Sequence, residues 1–486
     1  MTAEEPSIGA RTVRGMFWAY SSFVAGRSLT LISTAILARL LEPRDFGLVA
    51  LALVFTAVLE TVADLGLSQA LVVTRAEEVL ERADAVFIVS IALGAVLTAI
   101  VAGLGPVMAL FFDEPALSWL MGLLGVNFLL RALGSTHYAL AEKRIDFRSR
   151  TQAELADVFV RGVASIALAA AGLGAASIVI GYLAGTAALS AMMWAVVAWR
   201  PRLRARRDDL RGLVRFGAAY SGVDALAAIS NNVDYVFVGR VLGAASLGLY
   251  SLGFRLPELL IMNLSLVAAR VLFPAFAAIA REGLADAFVI TFRYTMMIAL
   301  PLAAGLAAMS HPIVLALFGE KWEGAVGAMR VLSLYALFLT VNIPAGTVYK
   351  ATGRPQVLLA LAIPRFVVLV VAIALLVDHG IVAVAGCQAG AAGLVALLST
   401  VLAARMLTVR PIALLRELWA PLLAASLTGA ALLGVQQALP SWPALIVGLA
   451  TGAALYVGIL WTVRREALEH LWRRLRPGGP HHLANS

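Results

Sequence analysis

The residues of this chain best placed to do chemistry are ionisable side chains set inside apolar stretches, and arginine is the commonest of them. Arg27, Arg131, Arg161, Arg255, Arg270 and Arg365 each interrupt a hydrophobic segment, as do Glu60, Asp64, Glu154, Asp157, Asp224 and Asp234. A charge near the centre of a bilayer costs at least about 2.5 kcal/mol unless it faces a partner or water, so these positions are the functional candidates. Arginine keeps its proton at physiological pH and presents a planar fork of donors that suits phosphate or carboxylate. Gathered around a hydrated cleft, Arg27, Arg255 and Arg365, with Arg131, Arg161 and Arg270, would form an anion-binding site. The competing reading is a set of private salt bridges that only hold helices together.

Spacing bears on that choice. Asp157 and Arg161 stand four residues apart, and Arg255 and Glu258 three, so each pair can close on its own helix. Glu60 and Asp64 share a face but carry like charges, and at least one needs a cation or a proton. They are either counter-ions to a neighbouring arginine or, with Asp157, Asp224 and Asp234, a site for a coupling proton or sodium ion. Arg27 and Arg365 have no opposite charge one turn away and require an interhelical partner or an external anion. Pro257 follows Arg255 closely and Pro364 precedes Arg365, and prolines inside spans kink helices where segments move or line cavities.

The elements that carry these residues follow from composition. With 61% hydrophobic residues, 14% charged residues and a mean hydropathy of +0.90, the chain cannot be a soluble core under a polar skin. Runs such as Ala85 to Phe112, Ile178 to Trp199, Val357 to Val377 and Ala444 to Val463 are long enough to cross a hydrocarbon layer about 30 Å thick. The pattern predicts an all-α polytopic membrane protein of about 14 transmembrane helices. They fall near 16–38, 46–73, 85–111, 116–140, 152–171, 177–199, 215–239, 247–277, 292–317, 326–349, 356–377, 381–404, 417–438 and 443–463.

Topology follows from the loops. If the N-terminus is cytoplasmic, the inside connections hold most of the cations, including the run Arg200 to Arg215 and the tail from Arg464 to Arg476. The other side keeps only Arg39, Arg44, Arg240, Lys321 and Arg330. By the positive-inside rule both termini of this multi-pass protein lie in the cytoplasm. The polar segment Met1 to Gly15 lacks the features of a cleavable signal.

An internal repeat links the first and seventh spans. Ala19-Tyr20-Ser21 matches Ala219-Tyr220-Ser221, and Arg39-Leu40-Leu41 through Gly47-Leu48 matches Arg240-Val241-Leu242 through Gly248-Leu249 at almost the same offset. The copies enter the membrane from the same side, so the repeat is parallel. It predicts a cytoplasmic N-terminus (1–15), a six-helix lobe (16–199), a basic linker (200–214), a second six-helix lobe (215–404), two additional helices (405–463) and a basic tail (464–486).

Several chemistries have no signature here. No Gly-rich phosphate loop, His-Glu-x-x-His pair or Gly-x-Ser-x-Gly elbow occurs. The one adjacent histidine pair, His481-His482, sits in a Pro/Gly tail, and neither metal nor cofactor is expected. Cys387 is the single cysteine, which excludes an intramolecular disulfide and reads as packing. The net charge of +9 is distributed between spans without a basic-aromatic surface segment, so it reads as topology and not as nucleic-acid binding.

The sequence resembles the oligosaccharide flippases of the polysaccharide transporter family, within the multidrug/oligosaccharidyl-lipid/polysaccharide exporter superfamily. The stretches that carry the resemblance are Ala38-Arg39-Leu40-Leu41-Glu42-Pro43-Arg44-Asp45-Phe46-Gly47-Leu48-Val49-Ala50, Asp64-Leu65-Gly66-Leu67-Ser68-Gln69-Ala70-Leu71, Lys143-Arg144-Ile145-Asp146-Phe147-Arg148 and Leu249-Tyr250-Ser251-Leu252-Gly253-Phe254-Arg255. The resemblance implies two six-helix lobes around a central cavity that alternates between the two sides. It also implies an isoprenoid-diphosphate-linked oligosaccharide as substrate, membrane lipids and polysaccharide assembly proteins as partners, and a cationic lumen. In the related murein-precursor flippases arginines in the first and eighth helices serve that lumen; Arg27 and Arg255 occupy those helices here. The implied protein is not an enzyme. The alternatives are an ion-coupled drug/cation antiporter of the same superfamily, against which the arginine excess speaks, and a membrane-embedded polymerase or glycosyltransferase, which would need acids on a substantial surface loop where only Asp113-Glu114 is available.

Overall fold

The structure is a computed structural model that describes residues 25–64, 71, 79–144, 146–202, 229–262, 276, 283–354 and 356–463. Among them all regular structure is helical, and ten segments are long and apolar enough to cross a membrane. The chain divides into two compact units, Met1–Ser251 and Leu252–Ser486.

The first unit contains α1 (25–40), α2 (Pro43–Asp64), α3 (Val79–Phe112), α4 (Ala116–Lys143), α5 (Phe147–Ala170), α6 (Ala175–Val196) and α7 (229–237, extended by a π turn at Val238–Leu242). Helix α8 (Gly243–Pro257, extended by a π turn at Glu258–Met262) runs on into the second unit. That unit holds α9 (Leu284–Ala308), α10 (Ser310–Leu317), α11 (Ala325–Ala351), α12 (Gln356–Leu376), α13 (Ile381–Met406), α14 (Pro411–Ala438) and α15 (Ser441–Val463).

Lipid offers no hydrophobic drive between helices, so close approach and interhelical hydrogen bonds must hold them. In the first unit α3 packs on α4 through Gly94, Gly105 and Gly125, each facing a backbone carbonyl of the other helix, and Thr98 Oγ1 donates to the Gly125 carbonyl at 2.8 Å. In the second unit the Tyr349 hydroxyl on α11 donates to the Ser399 carbonyl on α13 at 2.6 Å. The Tyr456 hydroxyl on α15 donates to Met297 on α9 at 2.8 Å. The relation between burial and composition is that of a protein dissolved in lipid: α12 is the most apolar of this unit's helices and the least covered, whereas α11 is less apolar and the most buried.

Helix ends follow local chemistry. Asp146, inside one of the resembling stretches, caps α5 by accepting from the Ser149 amide at 3.1 Å and its hydroxyl at 2.6 Å. Asp45 accepts from the Glu42 amide at 3.1 Å with one oxygen and from the Ala175 amide at 3.0 Å with the other, tying the start of α2 to the start of α6. Beside it, Arg44 forms a bidentate pair with Glu114 in the α3–α4 turn, at 2.6 and 3.3 Å. The sequence places a break between its seventh and eighth spans, and the chain turns there at Gly243, whose φ of +84° only glycine adopts readily. The ninth predicted span begins earlier than expected, at Leu284, and is divided at Met309 into α9 and α10.

Candidate functional site: charged residues inside the membrane

Four helices of the first unit bring charged side chains together. Glu60 on α2 lies 3.5 Å from the Arg131 guanidinium on α4 and accepts from the Tyr182 hydroxyl on α6 at 3.3 Å. On α5, one guanidinium nitrogen of Arg161 donates to both carboxylate oxygens of Asp157 at 2.8 Å, and the same guanidinium stacks 4.2 Å over the Tyr182 ring. Tyr182 therefore joins the two ion pairs, accepting Arg161 on its π face and serving Glu60 with its hydroxyl. Glycine makes the room. A Cβ at Gly185 would collide with the Asp157 carboxylate, and one at Gly181 with Ser165 and the Arg161 backbone.

Two carboxylates and two guanidiniums sum to no net charge, but they are not equally placed. The side chains of Arg131 and Arg161 are 56% and 36% exposed, those of Glu60 and Asp157 27% and 17%. The acids sit deeper and the cations nearer the surface, so the cluster presents a positive face. Arg131 lies near the middle of α4, and an arginine so exposed at that depth needs water or a polar ligand beside it. The 3.5 Å contact of Arg131 with Glu60 is also looser than that of Arg161 with Asp157, so Arg131 is the cation more easily drawn to a competing anion.

In the second unit Arg255 pairs with Glu258 at 3.2 Å, where Pro257 ends the α-helical part of α8 and a π turn begins. Arg365 on α12 donates to the Gln388 amide oxygen on α13 at 3.3 Å, and its Nε is buried without an acceptor. Pro364 beside it lacks the amide that would close the helix onto Ala360.

The remaining expected residues fall elsewhere. Arg27 is half-buried on α1. Asp234 on α7 is 4% exposed and accepts from the Tyr250 hydroxyl at 2.7 Å. Glu154 takes the Tyr138 hydroxyl at 2.6 Å in a network with Arg150. Asp224, Arg270 and the side chain of Asp64 lie outside the described residues. Cys387 is buried, as packing requires.

Two features escaped the sequence reading. One is Tyr182, whose signal was a lone tyrosine in an apolar span, with Gly181 and Gly185 on either side. The other is the bidentate pair of Arg293 on α9 with Glu417 on α14, at 2.6 and 2.8 Å, whose members are too far apart in sequence for any spacing rule.

The family described as polysaccharide biosynthesis protein matches residues 36–327, which covers more than half of the chain and most of the helices just described. The chain belongs to this family. Among its relatives are the lipopolysaccharide biosynthesis protein WzxC of Escherichia coli, 26% identical over 355 residues and 72% of each chain, and the succinoglycan biosynthesis transport protein ExoT of Rhizobium meliloti, 27% identical over 368 residues and 74% of each. Among solved structures, the lipid II flippase MurJ in an inward closed conformation superposes with a TM-score of 0.76 at 14% identity, covering 93% of this chain and 99% of that one. At that identity the likeness fixes the fold. Family membership and fold together make this a multi-pass helical membrane protein of the polysaccharide biosynthesis family.

Proposed function

We propose that the protein moves an isoprenoid-diphosphate-linked oligosaccharide from the inner to the outer leaflet of the bacterial cytoplasmic membrane, by alternating access, during surface polysaccharide assembly. The observation that carries the proposal is a cationic face within the span of a chain of the polysaccharide biosynthesis family, with arginines outermost and their carboxylate partners set behind them. A diphosphate entering hydrocarbon bare would lose its hydration at prohibitive cost. Arginines in a wet cleft replace that hydration, while the isoprenoid tail stays in lipid and the sugars need only a polar surround.

Arg131 and Arg161, which the first unit brings together, are the residues assigned to the diphosphate. As it arrives, Arg131 exchanges Glu60 for a phosphate oxygen, and the carboxylate takes the guanidinium back on release. This exchange keeps the site from holding its cargo too tightly. Among the acids, Asp234 is assigned to ion coupling because a carboxyl so buried on a span changes charge only at the cost of its surroundings, which lets protonation bias a conformational equilibrium. The excess of cations in the loops of one side supports a topology with both termini in the cytoplasm.

The test is reconstitution of the purified protein into liposomes with a defined lipid-linked oligosaccharide, scored for movement between leaflets. Transfer that requires the protein supports the proposal. Efflux of cationic drugs without glycolipid movement, or formation of new glycosidic bonds, would replace it with one of the alternatives.

A further inference from the structure

A tyrosine inside an apolar span can answer charge in two ways: its hydroxyl gives one hydrogen bond, and its ring face attracts a cation. Tyr182 on α6 does both. Its hydroxyl donates to Oε1 of Glu60 at 3.3 Å, while Oε2 of the same carboxylate faces the Arg131 guanidinium at 3.5 Å. Its ring lies under the Arg161 guanidinium at 4.2 Å, and Asp157 holds that guanidinium from the side at 2.8 Å. Gly181 and Gly185 let the Arg161 backbone and the Asp157 carboxylate come up against α6 on the turns around Tyr182. Among the described residues, Arg131 and Tyr182 are the only polar partners of Glu60, and the Nε of Arg161 is buried without an acceptor.

The hydroxyl contact with Glu60 is far from its best length. A hydroxyl donating to a carboxylate closes to about 2.5–2.7 Å at full strength, so the bond at 3.3 Å holds strength in reserve. A phosphate that draws Arg131 away would leave the half-buried Glu60 charged and without its cation, which is costly. The Tyr182 hydroxyl can close on it instead. As that bond shortens, the ring gains electron density and holds Arg161 more firmly, because linked polar contacts polarise one another. One arginine is released to the anion and the other is steadied for it.

We infer that Tyr182 is a positioning residue of this site: its hydroxyl is the reserve partner that lets Glu60 give up Arg131, and its ring carries Arg161. The inference rests on the reading of these arginines as an anion site. It needs no contact between Tyr182 and the substrate.

The test is Tyr182→Phe, which deletes the hydroxyl and keeps the ring under Arg161, so the melting temperature in detergent should stay near that of the wild type. In proteoliposomes with a defined lipid-linked oligosaccharide, the half-saturating concentration should rise about fivefold. That is less than the roughly tenfold effect of a whole hydrogen bond to a charged group, because the long contact is lost from the unliganded state as well. Turnover at saturation should rise, since Glu60 with no second donor reclaims Arg131 more readily on release. In a Glu60→Gln background the hydroxyl has no charge to hold, and adding Tyr182→Phe should move half-saturation by less than about twofold. A half-saturating concentration equal to the wild type's, an equal rise in both backgrounds, or a fall in turnover alone would overturn the inference.

A second measurement needs no transport. Inorganic pyrophosphate should raise the melting temperature of the purified wild-type protein, and half of that rise should require about fivefold more pyrophosphate in Tyr182→Phe. The same concentration dependence in both proteins would overturn the inference, even if the variant melts lower. Glycolipid flipping that ignores Tyr182→Phe sinks the role of Tyr182 and leaves the substrate reading standing. Pyrophosphate binding that depends on Tyr182, in a protein that moves no glycolipid, sinks the substrate reading and leaves the inference standing. A wild type that does neither sinks both.

Discussion

Charge exchange at Arg131 makes a prediction of opposite signs. Arg131→Gln removes a cation offered to the diphosphate, and Glu60→Gln removes the anion that competes for that cation. A charge-assisted hydrogen bond contributes about 1.5–3 kcal/mol. With the Arg131 side chain 56% exposed, the lower end applies, and a loss of about 1.5 kcal/mol weakens apparent substrate affinity roughly tenfold. For Glu60, two unit charges near 4 Å attract by about 1 kcal/mol in water and about 4 kcal/mol in a surface-like environment. Screening at so exposed a site favours the smaller figure. Relieving that competition should tighten substrate binding about fivefold. The assay is the glycolipid concentration giving half-maximal flipping in proteoliposomes, together with turnover at saturation. Arg131→Gln should raise the half-saturating concentration, whereas Glu60→Gln should lower it and slow turnover, because release loses its carboxylate. Shifts of the same sign in both variants, or changes in abundance alone, would show the pair to be a structural clamp and refute the exchange.

Other perturbations separate structure from transport. Arg293→Ala leaves the half-buried Glu417 without its bidentate partner and should cost about 1–3 kcal/mol, read as a lowered melting temperature in detergent; adding Glu417→Gln should recover part of the loss. Asp234→Asn keeps an acceptor for Tyr250, so the folded protein should persist while stimulation of flipping by an imposed proton or sodium gradient disappears; gradient dependence equal to wild type would remove Asp234 from coupling. Asp45→Ala leaves the amides of Glu42 and Ala175 without their acceptor and should destabilise the first unit by about 1 kcal/mol, measured by thermal unfolding.

Pairs within one helix were legible in the sequence because helical geometry alone brings their members together. Asp157 with Arg161 and Arg255 with Glu258 follow from spacing, and the structure closes both. Glu60 could be read only as needing a cation or a proton. Which arginine would answer depends on how α2 and α4 are rotated about their axes, and no spacing rule contains that angle. The same holds for Arg365, whose requirement for an interhelical partner or an external anion was visible but not that the neutral Gln388 would meet it across helices.

The sequence by itself determined the solvent, and with it the fold class: a chain this apolar must satisfy its backbone within helices, and charged connections mark where each one ends. It also determined which side chains would be costly in lipid, and it places Gly47 and Gly248 in stretches that match at a constant offset. Only the tertiary structure decided that Tyr182 joins two ion pairs, that arginines stand in front of their acids, and that the copied glycines lie on each other's carbonyls. Helix rotation and close approach decide those facts, and in lipid they are set by small residues and interhelical hydrogen bonds that leave little trace in a hydropathy pattern.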